Sequence, residues 1–435
     1  MGKILIANAL DIYRDNGKLT IQEAQARQSY HLRYLWRMEA RDILVVPEMP
    51  DRDYLMYFAG VQCMNSDNIS IVTFEHLFSS ASSVVYADRE FRRRLSDKMS
   101  PGKNWHIQSC YLNRAMLDLA DHLNIPVHPD MRAWAHQDGF RRANSKAFFR
   151  RAAKLHQIPI AEGTVCHTPA ELAAGMRNLF DQTGLLILKQ EHNGGGRGNI
   201  GVSLNFTARF QGVSESLVIH DKHSIPFVAD KLWKQTATRG QKIILEVYYP
   251  NTGTFTIQIC VPEAAKTPDI LYEAEIRMDS TWLGVQIPAA ALSADEKGIL
   301  CRHAMTLAKL LQKKGYQGYL CCDAIRLRNG TILFTEINVR PGAESSAHYF
   351  AVRHLGHDYA RRHTIMTRRD VKISSFDEIH RQLQHQDLLY RKGKNQGAAI
   401  LFADSKHGRT MELLLAAPNP QAAAALEAKV LALLR

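Results

Sequence analysis

Gly318-Tyr-Leu-Cys-Cys-Asp323-Ala-Ile-Arg-Leu-Arg328-Asn329-Gly330-Thr331-Ile-Leu-Phe-Thr-Glu336-Ile-Asn338-Val-Arg340-Pro341 is the stretch from which the rest of the chain is read. Asn329-Gly330 stands between two runs of alternating residues, the strongest short-range signal for a two-residue hairpin turn. Such a turn opposes Arg328 to Thr331, Leu327 to Ile332, Ile325 to Phe334 and Asp323 to Glu336, the last three pairs on one face. Asn338 and Arg340, further along the second strand, point the same way. Two carboxylates so placed lie about 5 Å apart and repel by roughly 3 kcal/mol at an effective dielectric of about 20. Protonation, a bridging Lys or Arg, or a divalent cation must offset that cost. Oxygens from Asp323, Glu336 and Asn338 suit Mg2+, which takes few protein ligands and shares the rest with phosphates. Arg340 beside them can grip phosphate oxygens through two parallel hydrogen bonds. A salt-bridged surface hairpin is the competing reading, and the apolar residues on the same face weigh against it.

Upstream, Gly184-Leu-Leu-Ile-Leu-Lys189-Gln-Glu-His-Asn-Gly194-Gly195-Gly196-Arg197-Gly198-Asn199-Ile200-Gly201 holds a formal G-x-G-x-x-G, with Asp221 about 20 residues on. A dinucleotide fingerprint requires the loop to run from a strand into a helix, whose N-terminus binds pyrophosphate. Here Gly201-Val-Ser-Leu-Asn-Phe206 alternates like a strand, so the loop joins two strands. No Gly-Lys-Ser/Thr follows, which removes the Walker A reading. What remains is a hairpin flap whose N–H groups can close over phosphates, or an ordinary glycine-rich hairpin. Lys189, on the preceding strand, can add positive charge.

The chain has 435 residues, 46% of them hydrophobic and 23% charged, which excludes disordered and fibrous classes. No apolar run approaches the 18 or so residues of a membrane span, and the opening MGKILIANAL suits a buried strand better than a signal peptide. Seven cysteines without a Cys-x-x-Cys spacing argue for reduced thiols and a cytoplasmic protein. The net charge of +12 attracts anions. Its basic residues are scattered in short clusters without a nucleic-acid motif, so nucleotides or acidic metabolites fit better than nucleic acid. His348, His354 and His357 lack the spacing of a zinc helix, and the helix carrying the first two should stop at Gly356.

The first 135 or so residues alternate strands and helices, with candidate strands at Ile4–Ala7, Asp42–Val46 and Ser83–Tyr86, which predicts a parallel sheet covered by helices. Asn144 or Ser145 caps a helix that ends at His156-Gln157-Ile158-Pro159. Thr168-Pro169-Ala170-Glu171 opens another, and a β-rich stretch runs from Leu185 to Pro288. Ser293-Ala294-Asp295-Glu296 reads as a capping box for a helix stopping at Gly315.

Lys146, Lys189 with its flap, Glu246-Val-Tyr-Tyr249 and Asp323…Glu336-x-Asn338-x-Arg340, in that order, resemble the ATP-grasp superfamily over about residues 140–350. The resemblance implies two α+β subdomains that grip ATP and convert a carboxylate into an acyl-phosphate, which an amine then attacks. By position, Lys146 and Lys189 would contact the phosphates and adenine side, and Gly194, Gly195, Gly196, Arg197 and Gly198 would form the flap. Glu246 and the backbone near Tyr248 would form the adenine hinge. Asp323, Glu336 and Asn338 match the Mg2+ ligands and Arg340 the stabiliser of the intermediate. Arg277, ahead of Leu283-Gly-Val-Gln-Ile-Pro288, matches a further catalytic arginine, and Glu344 would meet the incoming nucleophile. Two departures stand out: Gln157 replaces the glycine of a Gly-Ile-Pro element, and a ribose-binding acid is missing around Thr254.

The opening Lys3–Asn8 and a small C-terminal region are similar to pheganomycin-type peptide ligases with a pre-ATP-grasp domain. The implied architecture is α/β and α+β: a pre-ATP-grasp α/β domain over 1–138, a two-subdomain ATP-grasp fold over 139–365 and a small C-terminal region over 366–435. The implied activity is an ADP-forming ligase using ATP and Mg2+ to join a small-molecule carboxylate, an amino acid or peptide, to an amine. An ATP-grasp kinase acting on a hydroxyl is the alternative. A non-catalytic nucleotide-binding module is a third reading, against which the intact acidic set argues.

Overall fold

Alternation of apolar residues on both faces of the opening strand sets the first layer. A computed structural model describes residues 2–11, 28–74, 80–193, 196, 198–204, 206–237, 242–278, 282–407 and 409–434. Strands β1 (Gly2–Ile6), β2 (Ile43–Val46), β3 (Ser70–Thr73) and β4 (Trp105–Ser109) form a parallel sheet in the order β3-β2-β1-β4. Ile4 and Ile6 of β1 enter one hydrophobic core while Leu5 and Ala7 enter another, the two-sided burial that parallel sheets require.

One expectation about this region fails, and two strands are added to it. Ser83–Tyr86 lies inside a helix, Ser82–Ala87, and β3 and β4 are strands that no alternation pattern had marked. The buried residues of that helix, Ser82, Val85 and Tyr86, are spaced i, i+3, i+4. This helical period overrides the β preference of the Val-Val-Tyr run.

Caps behave as local chemistry predicts. The Phe148 N–H donates to the Ser145 hydroxyl oxygen at 3.2 Å to start Lys146–Leu155, and Thr168 caps Pro169–Thr183. The reciprocal capping box of Ser293 and Glu296 opens Ala294–Lys313. Gln157, in place of the expected glycine, has φ +54°, left-handed backbone that costs a residue with a Cβ about 1 kcal/mol. Gln157→Gly should therefore raise the melting temperature by an amount equivalent to about 0.5–1 kcal/mol. A lower melting temperature would mean that the Gln157 side chain contributes more than its backbone strain costs.

A second sheet contains β5 (Gly163–Cys166), β6 (Leu185–Gln190), β7 (Ile200–Ser203), β8 (Glu215–Val218) and β9 (Ile243–Val247) in the order β5-β9-β6-β7-β8. One face packs on helices Pro169–Thr183 and Ile225–Thr236, the latter interrupting the expected β-rich stretch. The third sheet comprises β10 (Asn251–Val261), β11 (Asp269–Met278), β12 (Trp282–Ile287), β13 (Gly318–Leu327), β14 (Ile332–Asn338), β15 (Thr364–Lys372), β16 (Gly397–Asp404) and β17 (Thr410–Ala417). Its order is β14-β13-β10-β11-β12-β15-β17-β16. The boundary read at 365/366 falls within β15, and the strands beyond it continue the same sheet through the β12–β15 pairing. They also meet the N-terminal layer, where the Trp36 indole N–H donates to the Leu401 carbonyl at 2.7 Å and Arg33 pairs with buried Glu412. No helix among the described residues is long and apolar enough to cross a membrane.

Candidate functional site

The hairpin β13–β14 puts Asp323 opposite Glu336, by a different route from the one expected. The Leu327 N–H donates to the Thr331 carbonyl at 2.9 Å, so the loop is the three residues Arg328–Gly330, closed by Gly330 at φ +83°. The register is thereby one step out near the turn: Ile325 faces Leu333, Ala324 faces Phe334 and Arg326 faces Ile332. A bulge at Thr335, whose hydroxyl donates to the Asp323 carbonyl at 3.2 Å, adds the step back before Glu336. The expected pairs Ile325–Phe334 and Leu327–Ile332 are therefore wrong. Ile332 and Phe334 turn into the core beneath helix Ala294–Lys313.

On the carboxylate face, the Asn338 amide donates to Asp323 at 3.1 Å and Arg340 donates to the Asn338 amide oxygen at 3.1 Å. Lys146, at the start of its helix, reaches Glu336 at 2.9 Å and also donates to the Asn193 carbonyl. The Val339 N–H donates to Asn144 at 2.9 Å and ties the hairpin to the same helix start. Burial, with Glu336 alongside, pushes the Asp323 carboxyl well above the usual carboxylate range. Against the same burial cost, Lys146 holds Glu336 below it. Lys146 thus offsets the charge of Glu336, and the raised Asp323 carboxyl favours its protonated form, so a cation bound between the two would displace that proton. Among the described residues no three or more His, Cys, Asp and Glu gather into a metal-binding group, so the donor set is two carboxylates completed by the Asn338 amide. Its oxygen would have to turn from Arg340 toward Asp323 to serve.

The second sheet supplies the opposite wall. Lys189 lies 2.6 Å from Glu246, which also pairs with Arg150. Against burial, Lys189 and Arg150 hold Glu246 below the ordinary range. Lys189 is thus already paired rather than waiting for phosphate. Glu246 is a buried ion-pair centre in β9, the strand that leads into β10. Arg150 gave no sequence signal beyond its place in a basic helix. Tyr248 lies on the link from β9 to β10: its N–H donates to Leu185 and its hydroxyl oxygen accepts the Gln211 N–H at 2.8 Å.

The glycine-rich loop does join two antiparallel strands, β6 and β7. Gly196 and Gly198 have φ +75° and +68°, and a Cβ on Gly198 would lie 2.6 Å from the Gln190 amide oxygen. Gly194, Gly195 and Arg197 lie outside the described residues.

Arg277 is engaged elsewhere, in a two-point pair with Glu427 at 2.6 and 3.0 Å and a bond to the Thr367 carbonyl. Its contacts run to the C-terminal helix Pro420–Leu433 rather than to the carboxylate face. Glu344 is buried just before helix Ser345–Leu355, its carboxyl raised by burial and touched by the Cys321 thiol at 3.6 Å. Gln258, which the sequence reading missed, organises this corner. Its amide oxygen accepts the Ser345 hydroxyl at 2.8 Å, the Tyr272 hydroxyl at 3.1 Å and the Gly342 N–H at 3.2 Å. It alternates with Ile257 and Ile259, which mimics a solvent face, yet it is fully buried. His348 and His354 sit in a helix where burial drives both down to about 4.

The link from β9 to β10 joins the second sheet to the third, with the glycine-rich β6–β7 connection on one and the facing acids Asp323 and Glu336 on the other. The Pre ATP-grasp domain family matches residues 31–125. Over 97% of this chain and 89% of the other, the structure is similar to the biotin carboxylase–beta-gamma-ATP complex from Campylobacter jejuni, with TM-score 0.58 and 15% identity. The fold is that of the ATP-grasp superfamily. N5-carboxyaminoimidazole synthase from Aspergillus clavatus, in complex with ADP and 5-aminoimidazole ribonucleotide, aligns at TM-score 0.55 and 16% identity over 99% and 98% of the two chains. L-amino acid ligase from Bacillus licheniformis aligns at 0.54 and 10% over 99% and 96%. No curated protein sequence gives a significant match. The structural similarity runs through nearly the whole chain, the strands beyond residue 366 included.

Proposed function

We propose that the protein is an ATP-dependent, ADP-forming carboxylate–amine ligase that makes a peptide or peptide-like amide through an acyl-phosphate. The observation that carries this reading is the convergence of Asp323, Glu336, Asn338 and Arg340 on one face of the β13–β14 hairpin and its exit, with Lys146 reaching Glu336. Asp323, Glu336 and Asn338 would hold Mg2+, which when bound neutralises phosphate oxygens. Arg340 balances the negative charge of the transferring phosphoryl group and of the acyl-phosphate. Lys146 exchanges its Glu336 partner for phosphate oxygens, and the flap excludes water from the reactive mixed anhydride. Neither bond-forming step requires a side-chain nucleophile. The carboxylate displaces ADP from the phosphoryl group, and the amine then displaces phosphate while losing a proton.

Hydroxylamine is a small, strong nucleophile, so ATP, Mg2+ and a competent acid should release ADP and a hydroxamate without the natural amine. A phosphorylated alcohol, with no amide from any acid–amine pair, would replace this reading by that of a kinase. Lys189→Ala removes one of the two cations at Glu246 and one expected phosphate contact. It should weaken a non-hydrolysable ATP analogue about tenfold by calorimetry. An unchanged affinity would leave Lys189 a purely structural partner of Glu246.

A further inference from the structure

Beyond the carboxylate face, toward the N-terminal sheet, lies a cation that the proposed chemistry does not use. Arg37 ends the helical segment Gln28–Arg37 and is half-buried among three tyrosine rings. Its guanidinium carbon lies 5.2 Å from the Tyr34 centroid, 5.5 Å from Tyr319 and 5.1 Å from Tyr349. The aromatic faces hold the charge in place while leaving its N–H donors unspent. Among the described residues, that guanidinium makes no ion pair and no hydrogen bond, and the groups acting on it are the three tyrosines and Cys110. Arg37 lines a cavity of about 40 Å3 with Ser109, Cys110, Gln317, Tyr319 and Pro341, and the cavity wall contains no Asp or Glu. One water needs about 10–15 Å3, so the space holds roughly three water-sized groups, enough for a carboxylate.

The position of the cavity limits what fills it. Ser109 and Cys110 mark the C-terminal end of β4, where the strand order reverses around β1, the crevice in which open parallel sheets bind ligands. Pro341, directly after Arg340, forms part of the wall, so the cavity lies next to the proposed reacting centre, while Asp323, Glu336 and Asn338 are not among its lining residues. A carboxylate undergoing activation belongs with Asp323, Glu336 and Arg340. One held by Arg37 is a carboxylate that does not react.

We infer that Arg37 anchors the free carboxylate of the substrate that supplies the amine, which makes that substrate an amino acid or peptide. The inference rests on the ligase reading for the assignment of roles. Its geometry, a caged and unpaired guanidinium facing an acid-free cavity, does not.

The binding test uses the full chain with Mg2+ and a non-hydrolysable ATP analogue, at fixed ionic strength. Thermal shifts are recorded with each standard L-amino acid and with its carboxamide. At least one free amino acid should raise the melting temperature and its carboxamide should not. Arg37→Gln should abolish the response and Arg37→Lys should retain part of it. Equal shifts by acid and carboxamide in the wild-type protein would overturn the inference without any variant, as would an unchanged response in a folded R37Q protein. A shift produced by succinate or glutarate, and by no amino acid, would overturn the amine-side assignment.

Turnover is read separately. With the most active acid–amine pair, R37Q should raise KM for the amino acid about tenfold or more while leaving hydroxamate formation intact. The carboxamide should show no further loss in R37Q. Hydroxamate with an amino-acid KM indifferent to Arg37 leaves the ligase and removes the anchor. An Arg37-dependent thermal shift with neither ADP nor hydroxamate leaves the anchor and removes the ligase.

Discussion

Replacing Glu336 by Gln is expected to cut ADP release by about 100-fold or more while leaving the far-ultraviolet circular dichroism spectrum unchanged. The substitution removes a charge but almost no volume from β14, and the backbone pairing of Glu336 with Asp323 does not depend on that charge. It also deprives Lys146 of its ion-pair partner at 2.9 Å, so a modest fall in melting temperature should accompany the lost turnover. Asp323→Asn gives the informative contrast. Burial and Glu336 already disfavour the Asp323 carboxylate, so the amide should melt no lower than the wild type and turnover should still collapse. Turnover within a factor of about two of wild type in both variants would make the pair structural.

The largest expected effect on stability is at Glu246. Glu246→Gln leaves Arg150 and Lys189 buried side by side without their shared carboxylate, a loss of about 3 kcal/mol or more. Its pH dependence has a definite sign. The folded protein holds Glu246 below its ordinary 4.5, so this stabilisation is fully present above 4.5 and is lost as pH falls through the lower folded value. The gap in melting temperature between wild type and variant should be wide near neutral pH and narrow below 4.5. A gap that stays constant on acidification would show that packing, not charge, is what the glutamate contributes. Under the proposed function, Glu246→Gln should also weaken binding of the non-hydrolysable ATP analogue, because the ion pair positions Lys189.

What the sequence determined was local. Capping at Ser145, Thr168 and Ser293 was legible because each depends on residues within one turn. The strand–loop–strand context of the glycine stretch was legible because Gly201–Phe206 alternates on its own. The facing of Asp323 and Glu336 was also legible, but only because a one-residue error at the turn and an unforeseen bulge at Thr335 cancel. Turn length and bulge each shift register by one, and packing of Phe334 beneath Ala294–Lys313 decides between them, which no local pattern states.

Tertiary structure alone decided which charges are already paired. Arg150 and Glu246 are 96 residues apart, and Arg277 and Glu427 are 150 apart. At such distances a motif names the residue type needed for a role, while chain topology decides which partner reaches it first. The same holds for polar residues on strands. Gln258 alternates as if it faced water, and only Tyr272 and the turn Gly342–Ser345, brought over β10 from elsewhere in the chain, make that face interior. Sequence sets the period and the turns because those energies are local; burial and ion pairing are set by neighbours brought together only when the sheets close.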